Sequence, residues 1–242
     1  MICSPSNCSG KLIATLGEDM TDFGSLLTFR DLDIEAPAPT LRQLGDQLET
    51  TLPATRWERD RKKEADMTAA ISGADQAIVF IRKPDADLPG GSLSLVVTAG
   101  KARVGNVVPL KMGQLTMAEY NAILEDFLTS GLQPLAAKLG LRLRTTAGIR
   151  AITDWLSEAA AEKLRRFSAA ANQSTGSSHP SDYNRWLSFI VQAHRDGCAL
   201  NAPLLRRWLQ EVEHWPEDQA ANLASEYDFG RDLLKQLSSS GD

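Results

Sequence analysis

Cysteine and histidine are scarce in this chain, with three of each in 242 residues. Cys3, Cys8 and Cys198 include no pair at zinc-finger or redox spacing. That sets aside a disulfide framework and a thioredoxin-like motif. His179, His194 and His214 form no H-x-x-x-H, so neither a metal site nor a cofactor is implied. No apolar run approaches the roughly 20 residues a membrane span needs, and no apolar signal region opens the chain. The expectation is a cytoplasmic protein without membrane contact. The phosphate-loop, dinucleotide and nucleophile-elbow signatures are also missing. Asp228-Phe229-Gly230 matches a kinase tripeptide, but it falls in a predicted helix with no glycine-rich or catalytic loop before it, so we read it as a chance match. Positive charge is not in excess. The net charge of −5 gives no general attraction to a phosphate backbone, although a local basic patch stays open.

What is present looks globular. Hydrophobic residues make up 43% and charged residues 24%, close to soluble-protein averages. The length suits one large or two small domains with a buried core.

In the front half, Lys11–Leu16 and Gly24–Ile34 read as strands joined by a turn-rich link. After the stiff Ala36-Pro37-Ala38-Pro39, Thr40 caps a predicted helix to about Thr51, with Leu41, Leu44 and Leu48 on one face. Arg56–Ile71 reads as a charged helix. Its run Arg59-Asp60-Arg61-Lys62-Lys63-Glu64 is either a solvated face or a small anion- or RNA-contacting patch spanning Arg56–Lys63. Gln76–Ile81, Ser92–Thr98 and Arg103–Leu110 predict three strands in a meander, because their links are too short for parallel crossovers. Thr116 and Glu119 form a capping box for a helix over 116–130 that Gly131 ends. Leu141–Thr145 alternates leucine with arginine or threonine, as an edge strand with one wet face would.

From Ala147 strand-like runs vanish. Ile149, Ile152, Trp155, Leu156, Ala159, Leu164 and Phe167 predict one long amphipathic helix. Three more follow: Ser181–Asp196, Pro203–Val212 and Glu217–Leu237. Their apolar stripes are, in turn, Tyr183, Trp186, Leu187, Ile190 and Val191; then Leu204, Leu205, Trp208, Leu209 and Val212; then Ala220, Leu223, Ala224, Tyr227, Leu234 and Leu237. The tryptophans of Trp155-Leu156, Trp186-Leu187 and Trp208-Leu209 are expected to share a core, each removing on the order of 200 Å2 from water. The reading is therefore α+β. A mixed or antiparallel sheet with flanking helices occupies an N-terminal domain over 1–146, and an all-helical bundle occupies 147–242.

The polar stretch from Asn172 to Asp182 holds the candidate site. Pro180 suits a first helical position, which puts His179 at the N-cap, and Asp182 in the first turn meets the positive end of the dipole. With Asn172, Ser174 and Ser178 beside it, this is either a polar pocket that grips a carboxylate or phosphate, or an inter-helix loop with a capped helix behind it. His179, Asp182 and Arg185 would be the catalytic residues of a hydrolase or nucleotide-processing enzyme. Against that stands a non-enzymatic interaction protein, a bacterial accessory, immunity or antitoxin-like factor. Arginine and aromatic residues such as Arg207 and Trp208 would serve it as partner-binding anchors. Its acidic charge would suit a basic protein partner. Nucleic-acid binding through 56–63 is the third reading.

Overall fold

The apolar, β-branched run of Gln76–Arg82 forms a buried strand one in from the edge of the main sheet in a computed structural model, which describes residues 24–239. Eight strands and eight α-helices follow in order among the described residues. They are β1 (Ser25–Leu27), β2 (Leu32–Glu35), α1 (Ala38–Thr51), β3 (Trp57–Arg59), α2 (Arg61–Ala70), β4 (Gln76–Arg82), β5 (Gly91–Thr98), β6 (Lys101–Pro109), α3 (Met117–Phe127), α4 (Gln133–Leu139), β7 (Arg142–Thr145), β8 (Ile149–Ala151), α5 (Glu158–Ala170), α6 (Pro180–Arg195), α7 (Ala202–Glu211) and α8 (Glu217–Ser239). The fold is α+β. Six strands form one antiparallel sheet in the order β3-β4-β5-β6-β2-β7, and β1 pairs with β8 in a separate ribbon. The predicted meander is β4, β5 and β6, and the predicted edge strand is β7.

Period-2 alternation sends Leu32, Ile34, Ile78, Phe80, Leu93 and Leu95 to one face of the sheet. There they meet Leu41, Leu44 and Leu48 of α1 and Ile123, Leu124 and Phe127 of α3, all essentially out of water. Each such side chain contributes roughly 1.5–3 kcal/mol when fully buried. The second core is built from the helices α5 to α8. Trp155, Trp186 and Trp208 all lie in it, joined by Trp215, Phe167, Phe189 and Tyr227. Phe167 packs between Trp186, with centroids 4.7 Å apart, and Trp215 at 5.6 Å.

Several elements differ from expectation. The strand and link over Lys11–Asp22 lie outside the described residues. Gly24–Ile34 is two strands, because Thr28 and Arg30 turn away to other partners. The Thr28 amide donates to Gly148 O, while Asn121 of α3 donates to Thr28 O and accepts from the Arg30 amide. Leu26 of β1 packs in the helical core. Arg56–Ile71 is β3 followed by α2, since Asp60 caps the helix by accepting from the Lys63 amide. Thr116 and Glu119 make the capping box as expected. Gly131 does not end the helix: a π-helical turn over Leu128–Leu132 carries the chain into α4. There a Cβ on Gly131 would come within 2.8 Å of Leu52 and 3.1 Å of Leu48, so only glycine lets the turn lie against α1. The long helix expected from Ala147 begins only at Glu158. Ile149–Ala151 pairs with β1, and Ser157 caps α5 by accepting from the Ala160 amide. The Ser157 hydroxyl also donates to Asp196, tying the start of α5 to the end of α6.

Candidate functional site

The polar stretch folds into a compact loop for local reasons. Asn172 Oδ1 accepts from the amide and the hydroxyl of Ser174, at 2.9 and 2.8 Å. Asn172 O accepts from the amides of Thr175 and Gly176. Gly176 adopts φ +60°, a left-handed turn that returns the chain to α6. Ser177 is buried and donates to Glu226 on α8 at 2.7 Å. Between this loop and α8 lies a cavity of about 560 Å3, lined by Ser174, Ser178, Gln219, Asn222, Ser225 and Glu226 among others. Hydroxyls, amides and one carboxylate face it, and no cation does. That chemistry opposes a phosphate or carboxylate rather than gripping it.

The three candidate catalytic residues do not converge. His179 is the N-cap of α6, and its Nδ1 accepts from the Ser181 amide at 3.3 Å; the side chain is exposed. Asp182 is buried and takes a bond from Arg185 Nη1 at 2.5 Å. Arg185 lines a different cavity, of about 380 Å3, with Lys163, Arg166, Asn184 and Ser188. No hydrogen bond joins His179 to an acid or base, as general base catalysis would need. His194 bonds Ser238 Oγ through Nε2 at 3.2 Å. His214 turns the corner before α8 with φ +59°. Among the described residues no group of three His, Cys, Asp or Glu is placed to hold a metal ion, and no helix is long and apolar enough to cross a membrane.

The two candidate partner anchors are internal fittings. Trp208 has no exposed surface, so it has nothing to present to another molecule. Arg207 donates to Leu27 O at 2.8 Å and pairs with Glu211 at 2.7 Å, fastening β1 to α7. The basic run is likewise neutralised from elsewhere in the fold. Arg56 meets Asp126 at 3.2 Å, and Arg61 meets Glu49 at 2.6 Å. Arg59 sits almost wholly buried between Glu64 at 2.7 Å and Asp46 at 2.6 Å. Burial alone would lower the Arg59 pKa, but the bonds to Glu64 and Asp46 outweigh it and hold the pKa above its usual value. Lys63 donates to Ser92 Oγ.

The surface that does stand out runs beside the loop, along α6 and α8. Their contacts advance together along both chains. Ser177 meets Glu226, Ile190 lies against Gly230, and His194 reaches Ser238. The helices are therefore side by side and parallel. A Cβ on Gly230 would stand 3.1 Å from Ile190, so glycine sets how close they come. α6 buries Asp182, Trp186, Phe189, Ile190 and Ala193, so Trp186 and Ile190 of the predicted stripe are in the core while Tyr183, Leu187 and Val191 are not. Tyr183 and Leu187 are open to solvent, as are Phe229 at 72%, Leu233 at 50% and Leu237 at 63% on α8. Helical phase puts Tyr183 and Leu187 on the side of α6 that carries His194, which borders α8. Phe229, Leu233 and Leu237 follow at i, i+4 and i+8. α8 also carries five carboxylates against two cations.

The sequence held a signal for this face. Phe229 and Leu233 are out of phase with Leu223, Tyr227 and Leu234, so one helix cannot bury both sets against the same neighbour. Leu237, expected in the buried stripe, lies with the exposed set at 63%. No protein-family model, no curated protein and no solved structure matches this chain.

Proposed function

We propose that the chain is a non-enzymatic interaction protein that binds a partner protein along the α6–α8 face. The observation that carries this is the exposure of Tyr183 and Leu187 on α6 and of Phe229, Leu233 and Leu237 on α8, two helices that pack together. Five such side chains make a patch on the scale of roughly 300–600 Å2, the size at which monomers commonly put a surface to use. α8 carries five carboxylates against two cations, which favours a basic partner. A basic amphipathic helix would set its apolar face on these residues and its cations against Glu226 and Asp232. The hydrolase reading draws no support from His179, which spends its ring nitrogen on its own helix. Nucleic-acid binding through 56–63 draws none from arginines already paired with carboxylates.

The test is capture of the tagged protein from its source cells, alongside the double variant Phe229→Ser, Leu233→Ser. Trp208 variants are unsuitable controls, because they would destabilise the bundle. A stoichiometric basic partner retained by the native chain and lost by the double variant supports the proposal. It would also decide the finer role, since an immunity or antitoxin-like factor would bring down a toxin or nuclease. A partner retained equally by both proteins would overturn the α6–α8 assignment.

A further inference from the structure

The face of the main sheet turned away from the first core is polar where β6, β2 and β7 lie side by side. Register places Asp33 between Arg103 and Arg144, and Glu35 between Lys101 and Arg142. Two rows result, each reading cation, anion, cation toward the β7 edge. Asp33 meets Arg103 at 2.8 Å and Lys101 at 3.2 Å, while Glu35 meets Arg144 only at 3.8 Å. Arg142 has no ion-pair partner among the described residues. Both rows thus end on an exposed cation at the margin of the sheet.

Among the described residues the margin itself is open. β7 is the last strand of the sheet. The Thr146 amide donates to Asp31 O at 3.1 Å. Antiparallel pairs alternate, so Asp33–Arg144 and Glu35–Arg142 are the bonded pairs. The backbone N–H and C=O of Leu143 and Thr145 then point outward, with no strand beside them among the described residues. On the core side of the same edge, Leu143 is half-buried and packs against the first core.

We infer that the β7 edge is a docking site for an extended polypeptide strand in which acidic residues alternate with apolar ones. The incoming backbone bonds Leu143 and Thr145. Its apolar residues continue the surface of Leu143. Its carboxylates complete the rows by meeting Arg142 and Arg144. The chain already shows what fits beside this strand, because Leu32-Asp33-Ile34-Glu35 of β2 has that alternation and occupies the other side of β7. The same arginines reject a second copy of the edge, since two such strands would set like charges opposite one another. The other margin differs. On β3, Arg59 is enclosed by Asp46, Glu49 and Glu64, and Glu58 pairs with Lys83, which leaves no row awaiting an anion. This site is separate from the α6–α8 face and stands or falls without it.

The probe is a synthetic peptide repeating residues 31–36 of the chain (Asp-Leu-Asp-Ile-Glu-Ala), with a control in which lysine replaces its acidic residues. Binding to the full chain is followed by fluorescence anisotropy and by amide exchange in NMR. The acidic peptide should bind, and the lysine peptide should bind at least tenfold more weakly. Exchange at the Leu143 and Thr145 amides should slow, while Arg142 and Arg144, already bonded to β2, stay as they were. Arg142→Glu with Arg144→Glu should invert the preference between the two peptides. Arg142→Gln alone should weaken the acidic peptide severalfold, which keeps the test informative if the double reversal fails to fold. Absence of binding at millimolar peptide, protection elsewhere than at Leu143 and Thr145, or indifference to the charge reversal would overturn the assignment. Equal competition by a single-stranded oligonucleotide would overturn it too, by showing a general anion surface.

Discussion

Asp126 is the most consequential single carboxylate in the sheet half, and its removal should be the most informative perturbation of the fold. It stands near the end of α3 and serves four donors from three other segments. Arg82 Nε donates at 3.0 Å, Trp57 Nε1 at 3.1 Å and Ser130 Oγ at 3.0 Å, and Arg56 pairs with it at 3.2 Å. Arg82 is only 2% exposed. Asp126→Ala leaves that guanidinium buried without its main counterion. Breaking one side of a buried pair costs about 3–5 kcal/mol. Arg82 keeps Asp85 at 2.5 Å and three weaker bonds to Lys83 O, Leu88 O and Pro89 O, which places the expected loss near 3 kcal/mol, the lower end of that range. Asp126→Asn retains the shape but turns an amide donor toward other donors. It should cost about 1–3 kcal/mol. The double variant Asp126→Leu, Arg82→Met should lose far less than the two single losses together, because it removes the stranded charge along with its partner. Urea denaturation followed by circular dichroism measures the native chain, these variants and the singles Asp126→Leu and Arg82→Met that close the cycle. An Asp126→Ala loss below 1 kcal/mol at unchanged m, or strict additivity in the double variant, would refute the hub.

Other outcomes follow from the same geometry. Trp208→Ala should destabilise by about 3–5 kcal/mol, whereas Phe229→Ala should stay within about 0.5 kcal/mol, although both are large aromatics on neighbouring helices; urea melts separate them, and a large Phe229 loss would mean the α6–α8 face is covered in solution. Gly131→Ala, a gain in an exposed helix, should instead cost about 1–3 kcal/mol through the clash with Leu52 and Leu48, read in the same melts. Acid should weaken the fold: the side-chain bond from Arg103 lowers the Asp33 pKa below its usual 3.8, the Leu88 amide does so for Asp85, and the Ser157 hydroxyl does so for Asp196. Folded values below unfolded ones mean stabilisation that is complete above pH 3.8 and disappears as pH falls through the lowered values, so the urea midpoint should drop between pH 5 and pH 2 and stay flat from pH 5 to 7.

The parts of the fold that were legible are those whose cause is local. Gln76–Ile81 announces a strand through its own β-branched and aromatic residues. Thr116 and Glu119 are three apart, so their capping box is written in four residues. Trp155, Trp186 and Trp208 read as core residues, and they share one core. The misread segments owe their structure to distant partners. Ser25–Leu27 and Ile149–Ala151 have three residues each, too few to show alternation, and each is a strand only because the other lies beside it. Trp57–Arg59 was hidden in a charge run that resembles a helix, yet it pairs with β4 and its arginine is claimed by α1 and α2. Gly131 reads as a helix stop until the approach of Leu52 shows why no side chain fits there.

The same division explains the site. His179 and Asp182 were legible as helix-start residues because capping is local, and capping is the role His179 performs. Whether the arginines of 56–63 form a basic patch depends on Asp46, Glu49 and Asp126, which come from helices elsewhere in the chain, and those carboxylates consume the charge. The reverse holds at β7. Its alternation was plain, but only the register with β2 shows that Asp33 and Glu35 are shared with β6 and leave the outermost arginines short of anions. Net charge therefore misdescribes this molecule. An acidic total of −5 conceals an acidic, apolar helix face on α8 and a basic, hydrogen-bonding edge on β7. The two surfaces ask for opposite charges, and one draws on side-chain burial while the other draws on backbone pairing. Added salt should weaken the β7 interaction more than the α6–α8 one, because exposed charge pairs are screened and apolar burial is not.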